Sequence, residues 1–396
     1  MGDSLRSIKS QYFLAYAPLG SLGPLLPIFL KHGKGFSESQ FGMLVAVTAL
    51  SMVVTPVLLA LLADTRIDSR RLLAGAYLVG GLSLVGIYFA EGVVPVSILY
   101  GIYTLAFVPT LPLTDALYFS VERAALGEGR KVSAYQFVRI WGTVGFIAPS
   151  LVIYFLLEDG EGAAPIIWVA ATWCLLAAAN SFLLPQMRLS GSKGLQGRTS
   201  LPTADALKTL FGPGTWVFCL AMFLAFMSAI AYYNLFPHYL RDVAGVAEGS
   251  IGLVMNLGVV VEIFFMLGFG PLRRRLRLKG VLVLGLAAMV LRMTLLASIP
   301  GVWTALAVQV LHGMEALALY VVPVMYIDRL AGDAFRSSIQ GAYMMTVLAG
   351  SRMLGALVSG WIGEESVIGA FYFAAGVSSV ALMVLIFFFK PIQVRD

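Results

Sequence analysis

ALLADTRIDSRRLL at residues 60–73 and GPLRRRLRLKGVLVL at residues 270–284 decide the fold of this chain. Each is a short basic turn set between long apolar runs. Working outward from them, runs of about 20 apolar residues recur, the length that crosses a hydrocarbon core of about 30 Å. Twelve are expected, near 12–30, 41–63, 72–90, 96–121, 135–157, 164–184, 213–240, 249–270, 280–298, 302–327, 337–361 and 366–389. Of the 396 residues, 59% are apolar and only 12% charged, which excludes a soluble domain of this size. Backbone inside hydrocarbon must satisfy its own hydrogen bonds, so the runs are predicted to be helices. The first run holds Pro18, Pro24 and Pro27, has full length and lacks a small-residue cleavage site. It is expected to be a mature helix rather than a signal peptide.

The two basic turns hold the same place in two halves, after the second and the eighth run. Between the halves lies the longest polar break, residues 185–211, containing PQMRLSGSKGLQGRTSLPTAD. Its Gly, Ser and basic residues mark a linker. The expected division is a six-helix domain at 1–184, a cytoplasmic linker at 185–211 and a second six-helix domain at 212–396. Six plus six, with a site near the midplane between the halves, is the plan of a secondary transporter. With both termini cytoplasmic, only Lys31, Lys34, Arg241 and three intramembrane arginines of the 27 Lys and Arg leave the cytoplasmic side. That is the positive-inside pattern, and it predicts a multi-pass protein of the inner (plasma) membrane. It also accounts for the net charge of +6 without a nucleic-acid partner.

Six charged residues stand inside the runs: Asp115, Arg139, Glu262, Arg292, Glu315 and Arg352, with His312 beside them. A charge there costs roughly 2.5–3.5 kcal/mol on insertion scales, so such residues mark solute or ion pathways. Asp115 and Arg139 lie at equal depth on neighbouring antiparallel runs and can pair. Arg139, Thr143 and Phe146 fall at i, i+4 and i+7, on one helix face. A guanidinium fork, a hydroxyl and an aromatic plate suit a polar, ring-shaped ligand. Asn234 and Tyr233, toward the outer end of the seventh run, are further candidates for solute contact. Glu262, Arg292, Arg352 and the one-turn pair His312 and Glu315 lie near mid-run. A carboxylate there feels opposed pulls from desolvation and from a nearby arginine, which lets it take up and release a proton as geometry changes. A fixed ion-pair network is the structural alternative. Gly142 and Gly145, with Gly350, Gly355 and Gly360, are expected to let helices approach closely. Pro109, Pro112 and Pro323 are expected to bend theirs.

The turn at 60–73 resembles the signature of the major facilitator superfamily, Gly-x-Leu-Ala-Asp-x-x-Gly-Arg-Arg. Leu62, Ala63, Asp64, Arg70 and Arg71 fit it, while Ala60 replaces the leading Gly. The resemblance implies the major facilitator fold, an all-α membrane protein of twelve helices in two pseudo-symmetric six-helix domains. It gives Asp64, Arg70 and Arg71 a part in holding one gating state. LHGME at 311–315 and Arg292 in VLRMTLL resemble the lactose-permease-like sugar/proton symporters, which implies proton coupling at His312, Glu315 and Arg292. Gln309 departs, standing where that group has a Lys. Asp115 stands where its sugar-binding Glu lies. FVRIWGTVGFI at 137–147 and Glu262 in VEIFFML resemble the nucleoside/proton symporters, which implies nucleoside contact at Arg139, Thr143 and Phe146. AYYNLFPHYL at 231–240 is similar to the phenylpropionate-type permeases.

No ATP-binding Gly-rich loop and no metal-ligand spacing occur, and Cys174 and Cys219 lie in different runs. No cofactor, metal or enzymatic activity is expected. The expected function is proton-coupled symport of a small polar solute, a sugar or nucleoside, by a monomer in the bilayer. Its expected partners are that solute and protons. Export of amphipathic compounds, uptake of aromatic carboxylic acids and a non-transporting sensor remain as alternatives.

Overall fold

A computed structural model describes residues 2–55, 68–129, 133, 135–157, 162–186, 204–330 and 336–390. Asp64 and most of the expected linker lie outside the described residues. Ten helices are long and apolar enough to span a bilayer, and Leu5–Leu22 with Leu26–Gly33, bent by 44°, makes an eleventh span. That bent pair is α1. It is followed by α2 (Glu38–Thr55), α3 (Ser69–Phe89), α4 (Val93–Gly127) and α5 (Tyr135–Leu156). Next come α6 (Pro165–Ser181), α7 (Trp216–Val243), α8 (Glu248–Leu267) and α9 (Phe269–Ser298). The last are α10 (Val302–Ile327), α11 (Ser338–Glu365) and α12 (Val367–Phe387). Each expected run overlaps one of these segments, and residues 56–63 of the second run lie outside the described residues. The shortest is α6, whose 17 residues start on Pro165 at the first turn, where a missing N–H costs nothing. They rise about 26 Å, a little less than the hydrocarbon core.

Caps explain several starts. Ser37 and Gln40 form a reciprocal capping box on α2, Asp68 accepts from the Arg70 N–H on α3, and Ser366 accepts from the Gly369 N–H on α12. Prolines act as expected in α4, which is interrupted at Val108 and Pro109.

Two compact units emerge. One gathers α1 and α3–α6; the other gathers α7–α12 with the Ser37–Leu50 part of α2. In the first, α1 packs on α5 and α6, and α3 packs on α4 and α6. In the second, α12 packs on α7 and α9, α10 packs on α8 and α9, and α11 packs on α7 and on the α2 segment. Lipid tails are as apolar as leucine, so helix association rests on close van der Waals fit, which small residues permit. Gly145 meets the backbone of Phe13, and Gly20 meets the backbone of Phe146, so α1 and α5 touch main chain to main chain. Gly42 and Gly360 do the same for the α2 segment and α11.

A repeat hidden in the sequence shows in the backbone. α1 and α7 each end in a π-helical turn, Phe29–Gly33 and Tyr239–Val243. Each turn is closed by a matching bond, Phe36 N to Leu30 O and Val246 N to Leu240 O. Each exit runs through a glycine at positive φ, Gly35 at 70° and Gly245 at 67°. Pro27 and Pro237 precede the turns, and Glu38 and Glu248 begin the helices that follow. All these pairs stand 210 residues apart, so one helix–turn–helix design is used twice.

Candidate functional site

The first unit holds a polar site on α1, α4 and α5. Gly142 and Gly145 are buried against α1, which brings α1 side chains onto the polar face of α5. Asp115 accepts hydrogen bonds from the hydroxyls of Tyr12, at 2.6 Å, and Tyr135, at 2.7 Å. Arg139 donates from Nη2 to the Tyr16 hydroxyl at 2.6 Å. Its Cζ lies 4.1 Å from the Tyr16 ring centroid and 5.9 Å from that of Tyr12. Tyr12 therefore serves both charges, its hydroxyl to the acid and its ring to the cation, and the expected Asp115–Arg139 relation runs through tyrosine. A guanidinium carries five N–H donors, and among the described residues Arg139 commits only its bond to Tyr16. Thr143 and Phe146 are half-buried on the same α5 face. The site thus presents free donors, a hydroxyl and aromatic faces, which is what a planar, hydrogen-bonding solute requires.

Tyr12, Tyr16 and Tyr135 were not singled out from the sequence. Tyr12 and Tyr16 stand one turn apart, and that spacing opposite an arginine was the available signal. Aromatics near the ends of spans ordinarily form interface belts, which hid it.

The second unit holds a different site. Arg292 on α9 is 0% exposed. Its Nη1 donates to Glu315 Oε2 at 2.9 Å and meets His312 Nδ1 at 3.0 Å, and its Nη2 donates to Gln309 Oε1 at 3.1 Å. Tyr232 lies flat beneath it, ring centroid 3.8 Å from Cζ. Arginine cannot accept, so His312 Nδ1 must, and the neutral ring carries its proton on Nε2. That nitrogen is 3.7 Å from Glu262 Oε2. Glu262 keeps 24% of its side chain exposed, whereas Glu315 keeps 1%. Glu315 Oε1 is buried and has no hydrogen-bond partner among the described residues.

Packing fixes these distances. A Cβ on Gly258 of α8 would come within 2.8 Å of Gln309 and 2.9 Å of His312, and one on Gly313 within 3.0 Å of the Val261 carbonyl. The π-helical turn Leu317–Val321 begins two residues after Glu315. Such turns widen a helix locally and occur often at functional sites.

The structure brings together Glu262, Arg292, His312 and Glu315, with Tyr233 edge-on to His312 at 6.3 Å. Arg352 is half-buried and takes no part in these bonds. Asn234 is buried, and its Nδ2 has no hydrogen-bond partner among the described residues. Gln309 and Tyr232 had not been assigned roles. At the turn after α2, Arg70 grips Asp68 through Nε at 3.1 Å and Nη2 at 2.9 Å, Arg71 is exposed, and Asp64 lies outside the described residues.

The apolar helices define an integral multi-pass membrane protein, and the family and relatives that follow make it a transporter rather than an enzyme. The sequence pattern described as "MFS_1 like family" matches residues 5–373, and the chain belongs to that family of the major facilitator superfamily. Among curated relatives it is 27% identical to a putative nucleoside transporter, YegT, of Escherichia coli K12, over 86% of this chain and 80% of that protein. It is 23% identical to the xanthosine permease of the same organism, over 89% and 86%. The crystal structure of the nucleoside transporter NupG superposes with a TM-score of 0.86 at 21% identity, covering 98% of this chain and all of that one, and so shares the fold.

Proposed function

We propose that this protein is a nucleoside/proton symporter of the inner membrane, with both termini cytoplasmic, working as a monomer by alternating access. The observation that carries the coupling is the Arg292 cluster. One guanidinium is shared by a carboxylate and a neutral imidazole in a site sealed from water. An ion pair so placed is a poor stabiliser compared with apolar packing, so its retention points to use. Glu315 has a spare oxygen on which a proton can sit, and protonation would release Arg292 from the pair. Glu262, partly exposed, and the Nε2–H of His312 supply the steps between that pair and water.

The solute assignment rests on the first-unit site and on the relatives. Arg139, with Thr143 and Phe146, offers donors and an aromatic face to a nucleobase and ribose, while Asp115 is held as an acceptor by Tyr12 and Tyr135. Tyr233 and Asn234 are proposed to contribute from α7. Asp64, Arg70 and Arg71 are proposed to hold a gating state at the α2–α3 turn.

The test is uptake of radiolabelled uridine into proteoliposomes under an imposed pH gradient, inside alkaline. Accumulation above the outside concentration, competed by other nucleosides and not by disaccharides or aromatic acids, is expected. Competition by disaccharides alone would move the assignment to sugars.

A further inference from the structure

The two basic turns that open the sequence differ in what their charges touch. In the first, Arg70 is neutralised by Asp68 through a two-nitrogen grip. In the second, residues 273–279 carry Arg273, Arg274, Arg275, Arg277 and Lys279 with no acid among them. Lys279 is committed, its Nζ donating to the carbonyls of Ile386 at 3.0 Å and Phe389 at 2.6 Å. It thereby ties the turn to the end of α12. Arg274, Arg275 and Arg277 are exposed, and none makes a hydrogen bond or ion pair among the described residues.

Their depth is set by their neighbours. Phe264 and Leu267 of α8, and Phe387 and Phe388 at the end of α12, are large apolar side chains left exposed. In a membrane protein such faces belong in lipid. Arg274, Arg275 and Arg277 come seven to ten residues after Leu267, in a turn that Lys279 ties to the end of α12, which puts them near the level of the headgroups, where aromatic and cationic side chains gather. The backbone is strained at the same spot. Arg277 has φ 57° and ψ 173°, a region essentially reserved for glycine, at a cost of roughly 1–3 kcal/mol.

We infer that Arg274, Arg275 and Arg277 form a binding site for the phosphate headgroup of an anionic phospholipid at the membrane surface. Guanidinium forks match phosphate oxygens in pairs, and clusters of four or more basic residues beside a membrane helix attract acidic lipids. The lipid would neutralise the turn in the place that Asp68 fills in the other half.

The test titrates the purified full-length protein in detergent with phosphatidylglycerol or phosphatidylcholine and counts bound lipid by native mass spectrometry. The wild type is expected to retain phosphatidylglycerol and not phosphatidylcholine. Arg274→Gln, Arg275→Gln and Arg277→Gln should each weaken retention about fivefold, and the triple variant about a hundredfold. Arg70→Gln, whose charge Asp68 already takes, should leave it unchanged. The single variants keep most of the turn's charge, so they carry the test should the triple variant unfold. Equal retention of both lipids, or of phosphatidylglycerol by every variant, would overturn the inference. Displacement of the lipid by excess inorganic phosphate would assign the site to a free anion and overturn the lipid assignment.

Discussion

The two charged sites solve the same problem in opposite ways. In the first unit, Asp115 and Arg139 are steadied by phenols from α1 and α5, and Arg139 stays half-buried with donors to spare. In the second, Arg292 is spent on Glu315, His312 and Gln309 and is closed off from water. An open cation with unused N–H groups suits a visiting solute. A closed cation whose partners can trade a proton suits coupling. Under the proposed function, the contrast would assign solute binding to one unit and proton coupling to the other.

Arg292→Ala should break the contrast most severely. It strands the Glu315 carboxylate without a partner, at a cost of about 3–5 kcal/mol, and the thermal midpoint in detergent should fall accordingly. Adding Glu315→Gln should recover most of the loss. If Arg292→Ala alone is as stable as wild type, the second site is not a tight ionic unit.

Arg139→Ala should do the reverse. Its tyrosines remain hydrated or paired, so stability should change little, while apparent affinity for nucleoside falls about 10- to 100-fold, the worth of hydrogen bonds from a charged group. Uptake kinetics and a melting curve on one preparation separate the two effects.

Smaller changes sharpen the picture. Tyr12→Phe or Tyr135→Phe removes one phenol bond to Asp115 and should weaken solute affinity a few-fold, about 1 kcal/mol. The double variant should lose more than the sum, since Asp115 is then left without either phenol; strict additivity would show that the tyrosines act separately.

The smallest effect concerns the α2–α3 turn. Partial burial pushes the Asp68 carboxyl up, but the Arg70 side chain and N–H outweigh it and hold it below the usual carboxylate range. A carboxyl depressed in the folded state stabilises above its unfolded value, and that contribution is lost as pH falls through the folded one. Asp68→Ala should cost about 1 kcal/mol of cap stability at neutral pH, and that difference from wild type should shrink in acid as Asp68 is protonated. A difference from wild type that persists unchanged into strong acid would contradict the assignment.

Much of this was legible in the sequence because the membrane enforces it. Hydrocarbon leaves a run such as residues 366–389 no option but helix, and a charge in such a run, Arg292 or Glu315, announces itself. The one-turn spacing of His312 and Glu315 was enough to place them on one face. The phenols were harder to see. Tyr12 and Tyr16 look like ordinary interface aromatics until Gly145 brings α5 against α1. Gln309, a neutral residue, gave no signal from charge, although its amide oxygen bonds Arg292. The repeat at Pro27 and Pro237 was equally quiet, since its few shared residues, Pro, Leu, Gly and Glu, are scattered over twelve positions and its plainer signature is a π-helical turn and a positive-φ glycine.

The most direct test of coupling is proton movement driven by solute alone. Uridine is added outside lightly buffered proteoliposomes with no imposed pH gradient, and external pH is followed with the wild type and Glu315→Gln. Uridine entry should alkalinise the medium with the wild type. With Glu315→Gln it should not, while labelled uridine still exchanges across the membrane. Uridine uptake by the wild type without alkalinisation, or full alkalinisation with Glu315→Gln, would contradict a proton carried on the Arg292 cluster.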